Sequence, residues 1–229
     1  MGLESIKNYL KTEMPKWPDL YHLFWIFVLI SFVGLMAETI LSLPIDGYWK
    51  RREGLVWGPF SPIYGTGAVL FTLLLYRLRD KNCILIFIIA AVVGAAFEWF
   101  VGSSMERLFG FVPWSYIDQP LCIDGYTSVG MALIWGTAGL LWMRLGLPVV
   151  WKFIDAIPQP VARFATIFFV IFMTLDVAMT LMAFQAWFDR GSGVPVETPV
   201  QQFFAEHFSD EFMDTRFETI SMYPVLAHR

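Results

Sequence analysis

The chain has 229 residues, of which 57% are apolar and only 16% charged, and its formal net charge is -4. Soluble domains carry about 25% charged residues, and here the charges lie between long apolar runs, so the composition argues against a soluble domain. The acidic balance argues against a nucleic-acid partner. The pattern predicts an all-α fold, a polytopic membrane helix bundle, because each membrane-spanning helix needs about 20 apolar residues.

In chain order, residues 1–20 form a separate N-terminal segment, in which residues 3–14 have the spacing of an amphipathic helix lying on the membrane. A disordered tail is the alternative for this segment. A transmembrane bundle is predicted over residues 21–187, with spans at 21–43, 61–77, 83–105, 126–147 and 163–187. Pro44 is expected to end the first span, and the fourth is expected to stop before Pro148. Residues 149–160 are interpreted as interfacial, and residues 188–229 as an extramembrane tail with two short amphipathic helices.

The placement of lysine and arginine predicts the orientation. Nine such residues lie on the side of the N-terminus: Lys7, Lys11, Lys16, Arg77, Arg79, Lys81, Arg144, Lys152 and Arg163. Five lie near the spans on the other side: Lys50, Arg51, Arg52, Arg107 and Arg190. We therefore expect a cytoplasmic N-terminus and an extracytoplasmic tail. Cys83 and Cys122 fall at opposite ends of spans, so no disulfide is expected between them.

In this topology the polar groups that a bilayer should not tolerate gather in the outer half of the protein. Glu38 lies at the outer end of the first span, and Glu98 lies about two-thirds of the way through the third. A carboxylate at bilayer depth is costly unless it is paired, hydrated or protonated, so both need an explanation. We predict an outward-facing polar cavity lined by these candidate residues: Glu38, Arg51, Arg52, Ser61, Tyr64, Glu98, Glu106, Arg107, Asp118 and Asp124. The alternative is that the charges only pair with one another and hold the helices together.

Three further features bear on this site. Gly94, Glu98 and Gly102 recur at helical spacing, which predicts that Glu98 faces a packed interior, because small residues let helices approach closely. Residues 49–67 are rich in glycine, proline and tryptophan, which predicts an irregular segment that dips to membrane depth or, alternatively, an interfacial loop. Asp176 is a lone charge in the fifth span, with no obvious partner. The three histidines have no ligand spacing, so no metal site is predicted and no cofactor is assigned.

Several of these segments resemble the type IV ABC-transporter permease family of bacteria. The most specific likeness is Gly58–Gly67, which resembles that family's motif Gly-Pro-x-x-Pro-Ile-Tyr-Gly-x-Gly. Weaker likenesses are Gly-Leu-Met-Ala-Glu ending at Glu38, the run 104–110, Trp-Ser-Tyr at 114–116, and residues 125–136, so that the likeness covers roughly 34–136. Ser115 stands where the family has an aspartate, and Glu53 interrupts its Arg-Gly step.

The resemblance implies a transporter or permease-like subunit of the bacterial cytoplasmic membrane, surrounded by lipid. The chain contains no Gly-x-x-x-x-Gly-Lys-Ser/Thr phosphate loop, so an ATP-hydrolysing partner would have to supply energy, and a homo-oligomer is also possible. Two other functions stay open. One is an intramembrane enzyme that acts on a lipid-linked or amphiphilic substrate by carboxylate acid–base chemistry. The other is a binding or regulatory membrane subunit without turnover.

Overall fold

The computed structural model describes residues 14–49, 54–110 and 112–218, and this part of the chain is mainly helical. The helices are α1 Leu20–Asp46, α2 Pro62–Leu75 with a 3₁₀ turn Tyr76–Leu78, α3 Cys83–Phe109, α4 Val129–Leu141, α5 Leu147–Asp155, α6 Gln159–Gly191, α7 Pro199–His207 and α8 Asp210–Arg216. Strands β1 Cys122–Ile123 and β2 Thr127–Ser128 form an antiparallel hairpin before α4. The predicted all-α bundle is confirmed, and the amphipathic helix predicted at residues 3–14 lies almost wholly outside the described residues.

Four stretches in the described part of the chain are long and apolar enough to cross a membrane: Leu20–Pro44, Cys83–Phe109, Val129–Asp155 and Gln159–Gly191. The predicted span at residues 61–77 corresponds to a shorter apolar helix, Pro62–Leu78. Large apolar side chains cover the outside of the bundle; Phe164, for example, is 75% exposed. Such faces are stable when lipid rather than water surrounds them.

The prediction that the fourth span stops before Pro148 is wrong. A π-helical turn, Trp142–Gly146, joins α4 to α5, and the helix continues to Asp155. Pro148 is tolerated because it lies in the first turn of α5, directly after the widened turn, where a missing backbone N–H costs little. Residues 149–155, interpreted above as interfacial, therefore extend the fourth helix.

The start of α1 and the end of α5 are joined through a buried histidine. His22 Nδ1 lies 2.8 Å from Asp19 Oδ2, and His22 Nε2 lies 3.1 Å from Asp155 Oδ1. The imidazole ring also stacks on Trp151, with ring centroids 3.9 Å apart. The start of α1 and the end of α5 therefore lie on the same side of the bundle, as the predicted topology requires.

Glycines set the spacing between α3 and α4. A Cβ added at Gly94 would lie 2.3 Å from the Cβ of Trp135, closer than real Cβ atoms approach. Gly94, Glu98, Gly102 and Glu106 are all buried on one stripe of α3, which confirms the predicted packed face. This stripe positions the carboxylates inside protein rather than toward lipid.

The C-terminal end of α6 is covered by the helices α7 and α8. Phe204, Phe208, Met213 and Phe217 are buried there in one apolar cluster with residues of α6. The two short helices predicted in the tail are therefore present. The irregular residues 54–61, which we call the Gly-Pro loop, also lie against α6: Val56 belongs to the same cluster.

Candidate functional site

The first carboxylate of the candidate site lies between α1 and α2. The Tyr64 hydroxyl, from the first turn of α2, donates a hydrogen bond to Glu38, which is half-buried on α1. Close approach is possible because Gly34 of α1 lies under Tyr64, whose Cβ would be 2.5 Å from a Cβ at that glycine. Just before α2, the Ser61 N–H donates to the Ser31 carbonyl of α1 at 3.0 Å. The end of the Gly-Pro loop is thereby fixed against α1.

The second carboxylate, Glu98, is held by two hydroxyl groups. Only 3% of Glu98 is exposed. The Tyr116 hydroxyl donates to Oε1 at 3.0 Å, and the Thr127 hydroxyl donates to Oε2 at 2.7 Å. Both donors are neutral, so they orient the carboxylate without cancelling its charge.

The third carboxylate, Glu106, lies two turns further along α3, about 12 Å from Glu98 along the helix axis. The Tyr126 hydroxyl donates to its Oε2, while Oε1 is buried and has no hydrogen-bond partner among the described residues. Gly102 makes room for the Tyr126 ring, which would meet a Cβ there at 3.0 Å. Within the described ranges, neither Glu98 nor Glu106 forms an ion pair.

The connection between α3 and α4 supplies these hydroxyl groups, Tyr126 and Thr127 from its β-hairpin and Tyr116 from the loop before the hairpin. The hairpin turn contains Asp124 and Gly125 at φ 53° and φ 78°, and the Tyr126 N–H donates to the Ile123 carbonyl at 3.1 Å. Asp and Gly are favoured at turn positions with positive φ. The turn reverses the chain, so that Tyr126 and Thr127 face α3, and the Tyr116 N–H is bound to the Gly125 carbonyl at 2.8 Å.

Tyr116 is electrostatically linked to two of the carboxylates. Burial is the main reason that the pKa of its hydroxyl is raised, followed by the negative charge of Glu98 and the hydrogen bond to it; the charge of Glu38 acts in the same direction. Tyr116 therefore stays protonated and remains a donor. Glu38 of α1 and Glu98 of α3 thus act on the same tyrosine. We call Glu38, Glu98 and Glu106 the acidic cluster.

The structure brings together some of the predicted site residues and places others at the surface. Glu38, Tyr64, Glu98 and Glu106 lie in the polar contacts described above. Ser61 is buried, and Asp124 is exposed on the hairpin turn, where it accepts a hydrogen bond from Trp99 Nε1 at 2.9 Å. Arg107 and Asp118 are exposed, and Arg51 and Arg52 lie outside the described residues.

Sequence reasoning missed Tyr116, Tyr126 and Thr127. The signal that would have found them is the Asp-Gly pair at 124–125, which predicts a hairpin whose flanking residues fold back onto the preceding helix.

Asp176, for which the sequence offered no partner, accepts a backbone hydrogen bond from Trp57 of the Gly-Pro loop at 3.0 Å. Cys83 and Cys122 are both free thiols, as predicted.

Two further observations concern metal ions and apolar ligands. Among the residues that the structure describes, no group of three or more histidine, cysteine, aspartate or glutamate side chains is arranged to bind a metal ion. A cavity of about 560 Å³ lies between α1 and α6, away from the acidic cluster. It is lined by Phe24, Phe27, Val170, Met173, Thr174, Val177, Ala178 and Leu181. Its lining is almost entirely apolar and therefore suits a hydrocarbon chain better than a charged molecule.

The apolar helices define the class of this protein: it is a multi-pass, helical membrane protein. The buried carboxylates Glu98 and Glu106 distinguish it from a bundle held together by apolar packing alone. The chain belongs to the family described as "Putative ABC-transporter type IV", whose model matches residues 25–181. This match extends beyond the 34–136 region in which the motifs show the likeness, and it includes α6 as far as residue 181. No curated protein and no solved structure matches the chain.

Proposed function

We propose that this protein is the membrane-spanning subunit of a transporter and that its acidic cluster binds a positively charged group of the substrate. One observation carries the proposal. Glu98 is almost fully buried, and both of its oxygens are held by neutral hydroxyl groups rather than by lysine or arginine. The carboxylate is therefore positioned but has no counter-ion among the described residues.

The energetic argument concerns charge balance. A buried carboxylate without a cation is unfavourable by several kcal/mol. Hydrogen bonds from Tyr116 and Thr127 offset part of this cost, but a cationic ligand would offset more, because attraction between charges is strong where water is excluded. Stapling of helices by ion pairs, the alternative reading, needs a basic partner, and none of the described residues provides one for Glu98 or Glu106.

The proposed path for the cation runs along the acidic cluster. Two observations support it: Glu98 and Glu106 follow each other along α3, and the charges of Glu38 and Glu98 act on the same tyrosine, Tyr116. A cation could be passed between carboxylates that are each held by a tyrosine. We extend the proposal to an outward-facing cavity to which the predicted residues Arg51, Arg52, Arg107, Asp118 and Asp124 contribute.

We propose further that an ATP-hydrolysing subunit drives transport, because the chain has no phosphate-binding loop of its own. The family to which the chain belongs agrees with such a partnership. The proposed location is the bacterial cytoplasmic membrane. The lysine and arginine distribution supports a cytoplasmic N-terminus and an extracytoplasmic tail.

The test uses matched cations and neutral analogues on the purified full-length protein in detergent. Choline and its neutral isostere dimethylbutanol form one pair, and spermidine and a diol of similar length form another. Binding is measured by calorimetry and by the thermal unfolding midpoint for wild type, Glu98→Gln and Glu197→Gln. Glu197 is exposed in the tail and provides the control.

We expect at least one cation to bind wild type in preference to its neutral analogue. Glu98→Gln should weaken this binding at least tenfold, which corresponds to about 1.4 kcal/mol. Glu197→Gln should bind like wild type. The proposal is refuted if cations and neutral analogues behave alike with wild type, or if Glu98→Gln binds the cation as tightly as Glu197→Gln does.

A further inference from the structure

A second buried carboxylate site lies where the Gly-Pro loop meets the longest helix. Asp176 occupies the middle of α6, roughly 24 Å from either end of the helix. The Trp57 N–H donates to Asp176 Oδ1 at 3.0 Å, and the Val56 N–H donates to the Thr180 hydroxyl at 2.9 Å. Because α6 is a candidate membrane span, the Gly-Pro loop reaches the depth of the middle of that span.

Backbone carbonyls of the Gly-Pro loop accept hydrogen bonds from the C-terminal tail. Arg216 of α8 donates from Nε to the Leu55 carbonyl at 3.1 Å and from Nη2 to the Gly58 carbonyl at 2.9 Å. The Leu55 N–H and the Phe60 carbonyl close the loop on itself at 2.7 Å. The backbone groups of this irregular segment are thereby satisfied by protein, as required of non-helical chain at this depth.

Asp176 itself is left with an unsatisfied atom. The residue is 0% exposed, and its Oδ2 has no hydrogen-bond partner within the described part of the chain. It forms no ion pair there either. Among the described residues, Arg216 is the charged group that lies near Asp176. Its hydrogen bonds given above, however, go to the loop carbonyls.

We propose that Asp176 is a proton-binding site and that its side chain carries a proton when the Gly-Pro loop is seated on α6. A neutral carboxyl fits the contacts better than an ionised one, because Oδ1 can still accept the Trp57 N–H while the proton resides on Oδ2, where an O–H without a partner costs less than an unpaired charge. An ionised carboxylate would leave a buried negative charge with a single hydrogen bond, an arrangement that is strongly unfavourable at hydrocarbon depth. Loss of the proton therefore requires water to reach Asp176, which the seated loop prevents.

This site is distinct from the acidic cluster. Glu98 has both oxygens occupied by the hydroxyl groups of Tyr116 and Thr127, whereas Asp176 has one oxygen occupied by the loop backbone and one without a partner among the described residues. The ligand is also different: a proton needs one oxygen, whereas a metal cation needs a set of ligands that the described residues near Asp176 do not supply. The inference does not depend on what the acidic cluster binds.

The direct test is infrared spectroscopy of the full-length protein with aspartate isotope-labelled in its side-chain carboxyl. We compare wild type with Asp176→Asn and with Asp80→Asn, which removes an exposed aspartate. At pH 7, wild type minus Asp176→Asn should show the carbonyl stretch of a protonated carboxyl. Wild type minus Asp80→Asn should show only carboxylate bands. Carboxylate bands in the Asp176→Asn difference would overturn the proposal.

A stability measurement gives an independent answer. Asparagine resembles the protonated aspartate, so Asp176→Asn should unfold within about 3 °C of wild type at about pH 4, where aspartate in the unfolded chain is still partly protonated. Above that pH, unfolding of wild type releases the proposed proton, so the stability of wild type should decrease relative to that of Asp176→Asn as the pH is raised from about 4 to about 9. A difference that does not change with pH, or that favours wild type at high pH, would contradict proton binding. If Asp176→Asn fails to fold, the spectrum of labelled wild type, recorded from pH 5 to 10, decides alone. The absence of a protonated aspartate band at pH 7 would then overturn the proposal.

Discussion

The hydrogen bond between Tyr116 and Glu98 offers the most informative perturbation of the site. Tyr116→Phe removes one hydroxyl group and keeps the ring that packs beside α3. The hydroxyl lies 3.0 Å from Glu98 Oε1, whereas Thr127 occupies Oε2 and is unaffected. The substitution therefore leaves one carboxylate oxygen of a buried residue without a partner.

The expected cost follows from that geometry. A hydrogen bond to a charged group contributes about 1.5–3 kcal/mol, and an unsatisfied buried acceptor costs a similar amount. We therefore expect the free energy of unfolding to fall by about 1.5–3 kcal/mol, or roughly ten- to 150-fold in the equilibrium constant. Tyr48→Phe should cost little, because Tyr48 is 53% exposed.

The assay is equilibrium unfolding of the purified protein in mixed micelles, titrated with sodium dodecyl sulfate and followed by circular dichroism. A double-mutant cycle with Glu98→Gln separates the pair from other effects of each change. We expect a coupling free energy of at least about 1 kcal/mol between Tyr116 and Glu98. If Tyr116→Phe were as mild as Tyr48→Phe, or if the two changes were additive, the proposed anchoring of Glu98 would be wrong.

Three further predictions concern the structure around the site. Gly94→Ala places a methyl group against the neighbouring helix and should lower the free energy of unfolding by about 1–3 kcal/mol in the same micelle titration. Gly130→Ala is the control: a Cβ there would meet its neighbours at ordinary contact distances, so this change should be nearly neutral. Arg216→Gln should release the Gly-Pro loop, so that its backbone amides exchange hydrogen faster, while Arg163→Gln at an exposed position should leave exchange unchanged. The pKa of Tyr116 is raised in the folded state, so Tyr116 should contribute no tyrosinate absorbance near pH 10. Its contribution to the free energy of unfolding should be complete below about pH 10 and should fall as the pH rises further. An early tyrosinate signal that Tyr116→Phe removes would contradict this assignment.

The sequence by itself determined the class of fold and the position of the unusual charges. Span lengths depend on local apolar runs that match the thickness of a bilayer, so the helices starting near residues 21, 61, 83 and 163 were predictable. The same argument marked Glu38, Glu98 and Asp176, because a charge within an apolar run is conspicuous without any knowledge of its neighbours. The stripe of glycines on α3 predicted which face of that helix is buried.

Only the tertiary structure decided how these charges are held. Tyr126 and Thr127 reach α3 because the chain reverses at Asp124 and Gly125, and Asp176 meets Trp57 from a segment more than a hundred residues away. Such contacts depend on the relative positions of several helices, which no local pattern specifies. The continuation of the fourth helix through Pro148 has a similar origin, because a π-helical turn and packing against neighbouring helices outweigh the local tendency of proline to end a helix.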